Sequence, residues 1–406
     1  MKKIISALLI AAFMITALCG CSVKQKNRTN EDKINYDKVK AVWISCYEME
    51  RIFYSSEKGV MSDELNNVFL NLSQMGINTV FVHIRAFSDA FYESDIFPDS
   101  TYLPADKNYD ALELVLESAH KYKLSVHAWI NPYRISSSPN ISSLNSAQPA
   151  AKWYKSGHKN RLIICSSGIY YNPSDLTAQK LIIDSVREVC KRYDVDGIHF
   201  DDYFYPDTSE KIDKASYESY RADSGNLSLS EFRTQSVSAM IEGVYNAIKS
   251  INGNILFGIS PQASIENNKK KLYADVQEWA AEKGYVDYLC PQIYFGFKNE
   301  ISPFEKCLDN WAQMKTDSSV RLIAGLALYK SGKNDNYASG NHKSTDSPYF
   351  EWKNYSDIIS RQVKMIENEE AFSGYAIYSY SYLTDDNPNS NLREETENLK
   401  VELAKP

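Results

Sequence analysis

The chain has 406 residues and a formal net charge of -7, with 24% charged and 43% hydrophobic residues. An acidic protein repels the phosphate backbone, so the composition argues against a nucleic acid partner. The length is large for one core but normal for an α/β barrel with long loops.

The N-terminus predicts export and a lipid anchor. Lys2 and Lys3 precede an apolar run from Ile4 to Leu18, which is too short for an ordinary membrane span and is typical of an export signal. Leu18-Cys19-Gly20-Cys21 is similar to a bacterial lipobox, with Cys21 as the lipidated first residue. The alternative is a plain secretory signal with an incidental cysteine. We expect an extracytoplasmic protein that is anchored to a bacterial membrane by lipid.

Three segments follow from this interpretation. Residues 1–20 are expected to be the signal peptide. Residues 21–38 are polar and are expected to form a flexible tether, and residues 39–406 the folded domain. The five cysteines beyond Cys21 are odd in number and contain no Cys-x-x-Cys, so the sequence predicts neither a disulfide framework nor a thiolate metal site.

Short β-rich runs alternate with segments of helical period along the folded part. The predicted strands are Val42–Ser45, Asn78–Arg85, Ser125–Asn131, Gly197–Asp201, Ile255–Ser260, Val286–Tyr294, Arg321–Leu328 and Gly374–Ser379. The predicted helices are Ser62–Gln74, Tyr109–Tyr122, Thr177–Tyr193, Ser228–Ser250, Asp275–Lys283, Phe304–Lys315 and Tyr355–Asn368. This pattern predicts an α/β fold, a (β/α)8 TIM barrel with long loops at the C-terminal face. An open doubly wound sheet is the alternative, but no glycine-rich phosphate loop follows the first strand, and no cofactor is expected.

Polar residues gather where the predicted strands end, which is where barrel enzymes carry their active sites. Alternation places His83 and Arg85 on one face of the second strand, His127 and Asn131 on one face of the third, and His199 with Asp201 on the inner face of the fourth. On the sixth strand, Gln292 and Tyr294 lie on one face. Each alone could be a satisfied interior polar group, but four such strands together favour a site.

The acids Asp201 and Asp202, with the aromatic residues Tyr203, Phe204 and Tyr205 after them, are the most informative segment. Glycoside cleavage needs carboxylates to move protons and to stabilise a cationic transition state, and aromatic rings stack on sugar faces. An ion-paired loop is the alternative for this pair taken alone. Because side chains alternate along a strand, Asp202 would point to the face opposite that of Asp201, unless the strand has already ended before it.

The chain resembles the bacterial glycosyl hydrolase-like family 10, a group of exported TIM-barrel proteins that are often lipoproteins. The segments that carry the resemblance lie in order over residues 40 to 385, and they are Gly76–Arg85, Ser88–Ser94, Ala119–His120, Val126–Arg134, Tyr171–Pro173, Asp196–Tyr203, Asp287–Tyr288, Pro291–Tyr294, Gly325–Tyr329 and Tyr378–Tyr380.

The resemblance implies a hydrolase that acts on bacterial cell-wall glycan, including peptide-stripped peptidoglycan strands. If the protein is a hydrolase, the catalytic residues are Asp201 and Asp202, one of which must supply the general acid, and Asp202 is the better candidate if the strand has already ended. The substrate-binding residues that we expect are Trp43, His83, Arg85, Asp89, His127, Asn131, Arg134, His199, Gln292 and Tyr294. No metal ligand is assigned.

A more distant likeness is to the Asp-Gly-x-Asp-x-Asp-x-Glu signature of family 18 chitinases. Asp196, Gly197 and Asp201 match it, but His199 replaces one aspartate and Tyr203 the terminal glutamate. The acid of that family therefore cannot be carried over to position 203. Cleavage assisted by the acetamido group of the sugar is one mechanism that the sequence leaves open, and an ordinary two-carboxylate mechanism is the other.

Two other classes of function remain alternatives. His83, His127 and His199, with Asp201 nearby, could form a zinc set of a metal-dependent deacetylase or amidohydrolase. A non-catalytic glycan-binding lipoprotein would also use the 29 tyrosines for stacking on sugars. The sequence leaves the oligomeric state undetermined.

Overall fold

The computed structural model describes residues 38–338 and 344–405. The predicted signal peptide, Cys21 and nearly all of the tether lie outside the described residues, so these three remain predictions. Within the described ranges, no helix has both the length and the apolar character needed to cross a membrane.

Eight parallel strands close into a barrel, as predicted, and three short strands of the described residues lie outside it. The strands are β1 (Val39–Ile44), β2 (Thr79–Arg85), β3 (Ser125–Ile130), β4 (Arg134–Ser136), β5 (Leu162–Cys165), β6 (Gly168–Tyr171), β7 (Gly197–Phe200), β8 (Leu256–Ile259), β9 (Tyr288–Leu289), β10 (Arg321–Leu326) and β11 (Phe372–Ile377). The barrel order is β1-β11-β10-β9-β8-β7-β3-β2, and β4, β6 and β5 form a separate antiparallel sheet. The fold is a (β/α)8 TIM barrel.

Helices surround the barrel and follow most of its strands. They are Cys46–Ile52, Lys58–Gln74, Ala111–Lys121, Pro149–Lys155, Leu176–Arg192, Lys214–Ala222, Leu229–Ile251, Ile265–Lys271, Val276–Ala281, Phe304–Ala312, Glu351–Asn354, Ile358–Glu367, Tyr380–Leu383 and Ser390–Leu403, with short 3-10 turns at Ile141–Ser143, Lys159–Arg161, Leu328–Lys330 and Pro348–Phe350. Asp110 and Asp175 each accept two backbone N–H bonds at the start of their helices, and Ser228 forms a capping box with Glu231. Such caps satisfy amide groups that have no partner inside the helix.

Three boundaries differ from the sequence prediction. The sixth barrel strand was predicted over Val286–Tyr294, but only Tyr288–Leu289 is a strand, with single bridges at Gln292. Pro291 lacks the N–H that a continuous ladder requires. The first strand begins earlier than predicted, at Val39, where it pairs with Gly374 of β11. Lys40, the next residue, is buried and its ammonium group donates to the carbonyl of Leu403 at 3.0 Å.

The third difference lies in the segment between β3 and the helix Leu176–Arg192. It was predicted as a long loop, and it contains the sheet of β4, β5 and β6. These strands are three or four residues long, which is too short for alternation to be recognised in a sequence. We call this segment, residues 131–175, the β3 excursion.

The barrel interior holds a layer of aromatic and polar side chains. Trp43, Phe81, Trp129 and Tyr288 form a buried cluster inside the barrel, while Val80, Val82, Ile198 and Phe200 belong to the core under the helices. This is the alternation predicted for the second and fourth strands.

Two glycines make room for the interior layer. A Cβ atom at Gly258 would lie 2.0 Å from the ring of Tyr288, and one at Gly197 would lie 2.6 Å from the imidazole of His127. Neither distance is compatible with a real contact, so each large ring depends on the glycine across from it. The five cysteines of the described domain are free, and Cys46 and Cys290 are buried.

Candidate active site

The loop after β7 carries the two acids and is anchored from outside the barrel. Arg233, on the helix Leu229–Ile251, donates to both carboxylate oxygens of Asp213 at 2.9 and 2.6 Å and to the carbonyls of Thr208 and Ser209. Tyr205 also donates to Asp213, at 2.9 Å. Both members of the ion pair are fully buried. Because the pair satisfies its hydrogen bonds inside the protein, it holds the loop in one conformation.

Asp201 is buried at the tip of β7, with 4% of its surface exposed. Its Oδ2 accepts from the indole Nε1 of Trp129 at 3.2 Å, and its Oδ1 accepts from the backbone N–H of Tyr203 at 3.3 Å. Burial raises the pKa of Asp201 well above its usual range, and the neighbouring charge of Asp202 raises it further. Asp201 is therefore the carboxyl group that retains a proton most readily.

Asp202 is half-buried and faces the same cavity. Its Oδ2 accepts from the side-chain amide of Gln262 at 3.0 Å, and its Oδ1 accepts from that of Gln292 at 3.3 Å. Burial raises the pKa of Asp202, and these two amide bonds act in the opposite direction. Since β7 ends at Phe200, alternation does not apply to residues 201 and 202, and the parity argument for opposite directions fails.

The aspartate pair, Asp201 and Asp202, opens onto a cavity of about 660 Å³ at the C-terminal ends of the strands. Side chains with aromatic rings dominate its wall. Its lining residues include Trp43, Trp129, Tyr203, Ser260, Gln262, Asn267, Gln292, Tyr294, Phe295, Tyr329, Lys330, Tyr337 and Tyr378. Carboxyl groups between aromatic walls are what a carbohydrate site requires.

Below this cavity, hydrogen bonds join four side chains in the barrel interior. The indole Nε1 of Trp43 donates to His199 Nε2 at 3.2 Å, and the hydroxyl of Tyr288 lies 2.9 Å from His199 Nδ1 and 2.8 Å from His127 Nδ1. We name these four residues the histidine–tyrosine chain.

Only one arrangement of protons satisfies the histidine–tyrosine chain with neutral rings. His199 Nε2 accepts from Trp43, so Nδ1 carries the proton and donates to Tyr288, whose hydroxyl then donates to His127 Nδ1. Burial keeps both imidazoles neutral, since it lowers the pKa of His127 to about 4 and that of His199 well below its usual value.

The third histidine also lies away from the cavity wall. His83 is 4% exposed, and its ring stacks on Trp129 with 3.7 Å between centroids. Burial lowers the pKa of His83 to about 3, and the side chain of Asn131 acts in the opposite direction. Asn131 donates to the carbonyl of Ala86 at 3.0 Å, and its Oδ1 has no close partner.

These positions give the zinc alternative no support. His199 uses both ring nitrogens within the barrel, and His127 uses one on Tyr288. Across the described residues, no three histidine, cysteine or acidic side chains are grouped so that they could hold a metal ion. A zinc site needs free nitrogen lone pairs that converge on one point.

Two arginines lie near the aspartate pair without a carboxylate partner in the described chain. Arg85 is fully buried, its guanidinium lies 4.9 Å from the ring centre of Phe97, and none of its three nitrogens has a hydrogen-bond partner. A register shift between His83 and Arg85 removes Arg85 from the strict alternation of β2.

Arg134 is half-buried and stacks on Tyr203. Asp89 is buried with one unpartnered oxygen, and burial raises its pKa.

The structure thus separates the predicted site residues into two groups. Trp43, Asp201, Asp202, Gln292 and Tyr294 line the cavity. The remaining predicted residues are not on its wall: His83, Arg85, Asp89, His127, Asn131, Arg134 and His199. Of these, Arg134 stacks on the wall residue Tyr203, and His83 stacks on the wall residue Trp129.

Several wall residues were not predicted. Gln262 binds Asp202, and Lys330 is held by Asp335 and by the carbonyl of Tyr294 at 2.8 Å. Tyr329 and Tyr378 lie in segments that resemble the family, and each follows the end of a barrel strand. That position could have identified them as site residues from the sequence. Gln262 and Tyr337 had no such signal, because loops have no periodicity.

Solved structures of low sequence identity share this fold. The glycoside hydrolase domain of PgaB (BpsB) from Bordetella bronchiseptica superposes with a TM-score of 0.56 at 11% identity, covering 90% of this chain and 98% of that one. The catalytic domain of the beta-amylase from Paenibacillus polymyxa gives 0.56 at 10% identity, covering 92% of this chain and 100% of that one. At these identities the likeness concerns the fold alone.

Sequence relatives are more informative. The glycosyl hydrolase YngK of Bacillus subtilis (strain 168) is 30% identical over 396 residues, which cover 90% of this chain and 73% of that protein. The glycosyl hydrolase DigH of Escherichia coli (strain K12) is 31% identical over 303 residues, which cover 68% of this chain and 67% of that protein. Residues 38–340 match the family described as glycosyl hydrolase-like 10. The chain therefore belongs to the glycosyl hydrolase-like 10 family.

Proposed function

We propose that the protein is a glycoside hydrolase that cleaves the glycan of the bacterial cell wall at N-acetylated sugars. The observation that carries this proposal is the aspartate pair, which opens onto an aromatic cavity with its two carboxyl groups in different environments. Family membership and the barrel fold support glycoside hydrolysis as the reaction class.

Asp201 is the general acid in this proposal. A proton donor must hold its proton in the resting enzyme, and the more strongly raised pKa belongs to Asp201. Asp202 is the ionised partner, because it is less buried and accepts two amide hydrogen bonds. Pairs of carboxyl groups whose environments separate their pKa values divide the acid and base roles in this way.

Cleavage assisted by the substrate's acetamido group fits the wall of the cavity. Among the described residues that line it, Asp201 and Asp202 are the only acids. The assisted mechanism needs one of them as proton donor and the other to hold the acetamido group. The acetamido oxygen would attack the anomeric carbon as the glycosidic C–O bond breaks and the leaving oxygen takes the proton of Asp201, while Asp202 accepts a hydrogen bond from the acetamido N–H. Water would then open the cyclic intermediate and return a proton to Asp201. Gln292, which holds Asp202 at 3.3 Å, and Tyr294 lie where they would contact this group.

Digestion of purified glycan strands, with and without stem peptides, tests the proposal. We expect new reducing ends and shorter oligosaccharides in mass spectra. The variant Asp207→Asn, on an exposed position of the same loop, is the matched control and should behave as wild type. Intact strands after prolonged incubation with folded enzyme would contradict the proposal and favour a glycan-binding protein.

We also propose that the protein is anchored outside the cytoplasm through lipid on Cys21. The support is the lipobox-like Leu18-Cys19-Gly20-Cys21 after the apolar run. A Cys21→Ala protein should leave the membrane fraction or keep its signal peptide. Unchanged membrane association with normal signal removal would contradict the anchor and leave the proposal for the reaction untouched.

A further inference from the structure

The β3 excursion carries a charge opposite to that of the whole protein. No aspartate or glutamate occurs from residue 118 to residue 174, although the chain has 52 acidic residues and a formal net charge of -7. Within the excursion, five lysine and arginine side chains accompany a single acid, Asp175, which caps the helix Leu176–Arg192. The excursion is therefore a cationic segment on an acidic protein.

Four of these cations lie close together in the chain and near the surface. Lys152 and Lys155 are exposed on the helix Pro149–Lys155. Lys159 is exposed and Arg161 is half-buried, and the two begin and end the 3-10 turn that follows this helix. We call Lys152, Lys155, Lys159 and Arg161 the cationic surface.

The charges of the cationic surface are not neutralised by neighbouring acids. On other helices of the described chain, exposed lysines pair with an acid four residues away, as in Lys180–Asp184 and Lys270–Glu266. The cationic surface has no acid at such spacing, and within residues 38–338 and 344–405 none of its four side chains forms an ion pair. Adjacent cations without counter-charges create a positive potential that attracts a polyanion.

The backbone that carries the cationic surface is held in place. The N–H of His158 donates to the carbonyl of Trp153 at 2.9 Å, and the side-chain amide of Asn172 donates to the carbonyl of Asn160 at 2.9 Å. The ring of Trp153 packs edge-on against the buried Tyr171, with 5.6 Å between centroids. The cations therefore extend from a fixed base, which reduces the entropy lost on binding.

The contacts of these side chains indicate the kind of ligand. The ammonium group of Lys159 lies over the ring of Tyr154 at 4.7 Å, and the guanidinium carbon of Arg161 lies 5.1 Å from the ring centre of Trp153. A sugar or a nucleobase would have to displace these cations in order to stack there. Lysine ammonium groups act as point charges that suit phosphate oxygens and do not need a planar partner. The surface therefore favours a chain of repeated phosphate groups.

The position of the cationic surface in the fold favours a polymer over a membrane. The excursion leaves the C-terminal end of β3, and Arg134 at its start stacks on Tyr203 of the cavity wall. The parallel strand β1 begins at Val39, so the preceding chain joins the barrel at the opposite, N-terminal end. An anchor on Cys21, as proposed above, would be linked to the end of the barrel opposite the excursion.

We propose that the cationic surface binds a phosphodiester polymer of the cell envelope and so holds the protein on the wall side of its anchor. Binding there requires no cleavage of glycan, so the interaction goes beyond the proposed reaction. Only the choice of a polymer over the membrane rests on the proposed anchor.

Calorimetry with poly(glycerol phosphate) and the full-length protein in neutral detergent tests the proposal. Contact of four cations with a flexible polyanion should weaken roughly 50-fold between 50 and 200 mM salt. The triple variant Lys152→Gln/Lys155→Gln/Lys159→Gln should bind at least about 50-fold more weakly at the lower salt concentration and lose most of the salt dependence. All three side chains are exposed, so the unfolding midpoint should not change.

The matched control is the triple variant Lys283→Gln/Lys306→Gln/Lys315→Gln, which removes the same charge from exposed positions outside the excursion. Because salt screens distant charges, it should bind within about twofold of wild type. Equal losses in the two triple variants would mean that net charge alone attracts the polymer, and the proposal would be wrong.

Two further measurements separate other partners. Polygalacturonate of matched charge should bind more weakly than poly(glycerol phosphate), and equal affinity would overturn the assignment to phosphate. The protein is then inserted through its anchor into nanodiscs of neutral phosphatidylcholine or anionic phosphatidylglycerol, and its affinity for the polymer should be similar in both. Loss of polymer binding on the anionic discs would place the cationic surface on lipid headgroups and overturn the assignment to a polymer.

The interaction and the proposed reaction fail in different ways. If the polymer binds through the cationic surface but glycan strands stay intact, the hydrolase proposal fails and the interaction stands. If strands are cleaved and poly(glycerol phosphate) does not bind, the interaction fails and the hydrolase stands.

Discussion

Two polar regions of one barrel differ in how completely their hydrogen bonds are satisfied. In the histidine–tyrosine chain, each of the three contacts joins a donor to an acceptor, and neutral rings suffice. Around the aspartate pair, Arg85 and Arg134 have nitrogens without partners, and both acids have raised pKa values. In the described barrel, the four side chains whose partners are present form a structural layer, and the two guanidinium groups whose partners are missing lie beside the acids that the proposed reaction needs.

The largest expected effect concerns turnover at the aspartate pair. We predict that Asp201→Asn and Asp202→Asn each lower turnover on glycan by at least about 100-fold. With an aryl glycoside, whose leaving group needs no protonation, Asp201→Asn should recover most of its activity and Asp202→Asn should not. The reverse result would exchange the two roles, and near-normal turnover of both variants on glycan would place the chemistry elsewhere.

The pH profile of the same reaction sharpens the assignment. In the proposed mechanism, activity needs Asp201 protonated and Asp202 ionised. It should therefore fall as pH rises through the raised pKa of Asp201, and fall as pH drops through that of Asp202. In Asp201→Asn, measured on the aryl glycoside, the decline at high pH should disappear. If it persists, another group supplies the proton.

The next effect is loss of stability in acid. His83 and His127 have folded-state pKa values of about 3 and about 4, and that of His199 is also lowered. The unfolded chain binds these protons near pH 6.5, so stability is present above that pH and is lost as pH falls. We expect the free energy of unfolding to drop by on the order of 3 to 5 kcal/mol from pH 7 to 5, with protonation of Asp201 opposing the loss.

Denaturant titrations at several pH values measure this change. His158→Gln is the matched control, since His158 is exposed and its removal should leave the pH dependence unaltered. A free energy of unfolding that stays constant between pH 7 and 5 would mean that the interior histidines are not held neutral.

A single hydroxyl tests the histidine–tyrosine chain more locally. Tyr288→Phe leaves one acceptor on His127 and one donor on His199 unpartnered, and we expect a loss of about 2 to 4 kcal/mol in the free energy of unfolding. Tyr133→Phe is a control of the same chemistry, because the hydroxyl of Tyr133 is buried and has no partner. That variant should be neutral or more stable, and equal losses in the two variants would remove the distinction between the regions.

The smallest expected effect is that of a chelator. Since His199 uses both ring nitrogens and His127 one, we expect exhaustive chelation to leave activity on glycan within about twofold of the untreated enzyme. If chelation abolishes activity and stoichiometric zinc restores it, the result would instead support a metal-dependent enzyme.

Sequence periodicity was sufficient for the barrel and for the directions of most strand residues. The inner position of His199 and the outer position of Phe200 follow from alternation alone. Alternation applies only within a strand, and β7 ends at Phe200. The sequence therefore could not predict that Asp201 and Asp202 face the same cavity. Alternation does not indicate the role of Tyr288, since that role depends on two histidines that lie 161 and 89 residues away.

The same limit applies to the loops of the cavity wall. Gln262 reaches Asp202 from a segment 60 residues away, and Lys330 is positioned by Asp335 and Tyr294. The contacts are set by the way loops pack on each other, so neither propensity nor period indicates them. Arg85 illustrates a further cause, because one register shift in β2 changes its direction from the one that alternation predicts.

The glycines opposite the large interior rings have an evolutionary consequence. Any side chain at position 258 collides with Tyr288, and any at position 197 collides with His127. A lineage can therefore replace neither glycine while it keeps the opposing ring, and each pair must change together or stay together. Aligned homologues should show Gly258 and Tyr288 substituted in the same branches, so that the inside of the barrel is inherited as one unit while the loops above it diversify.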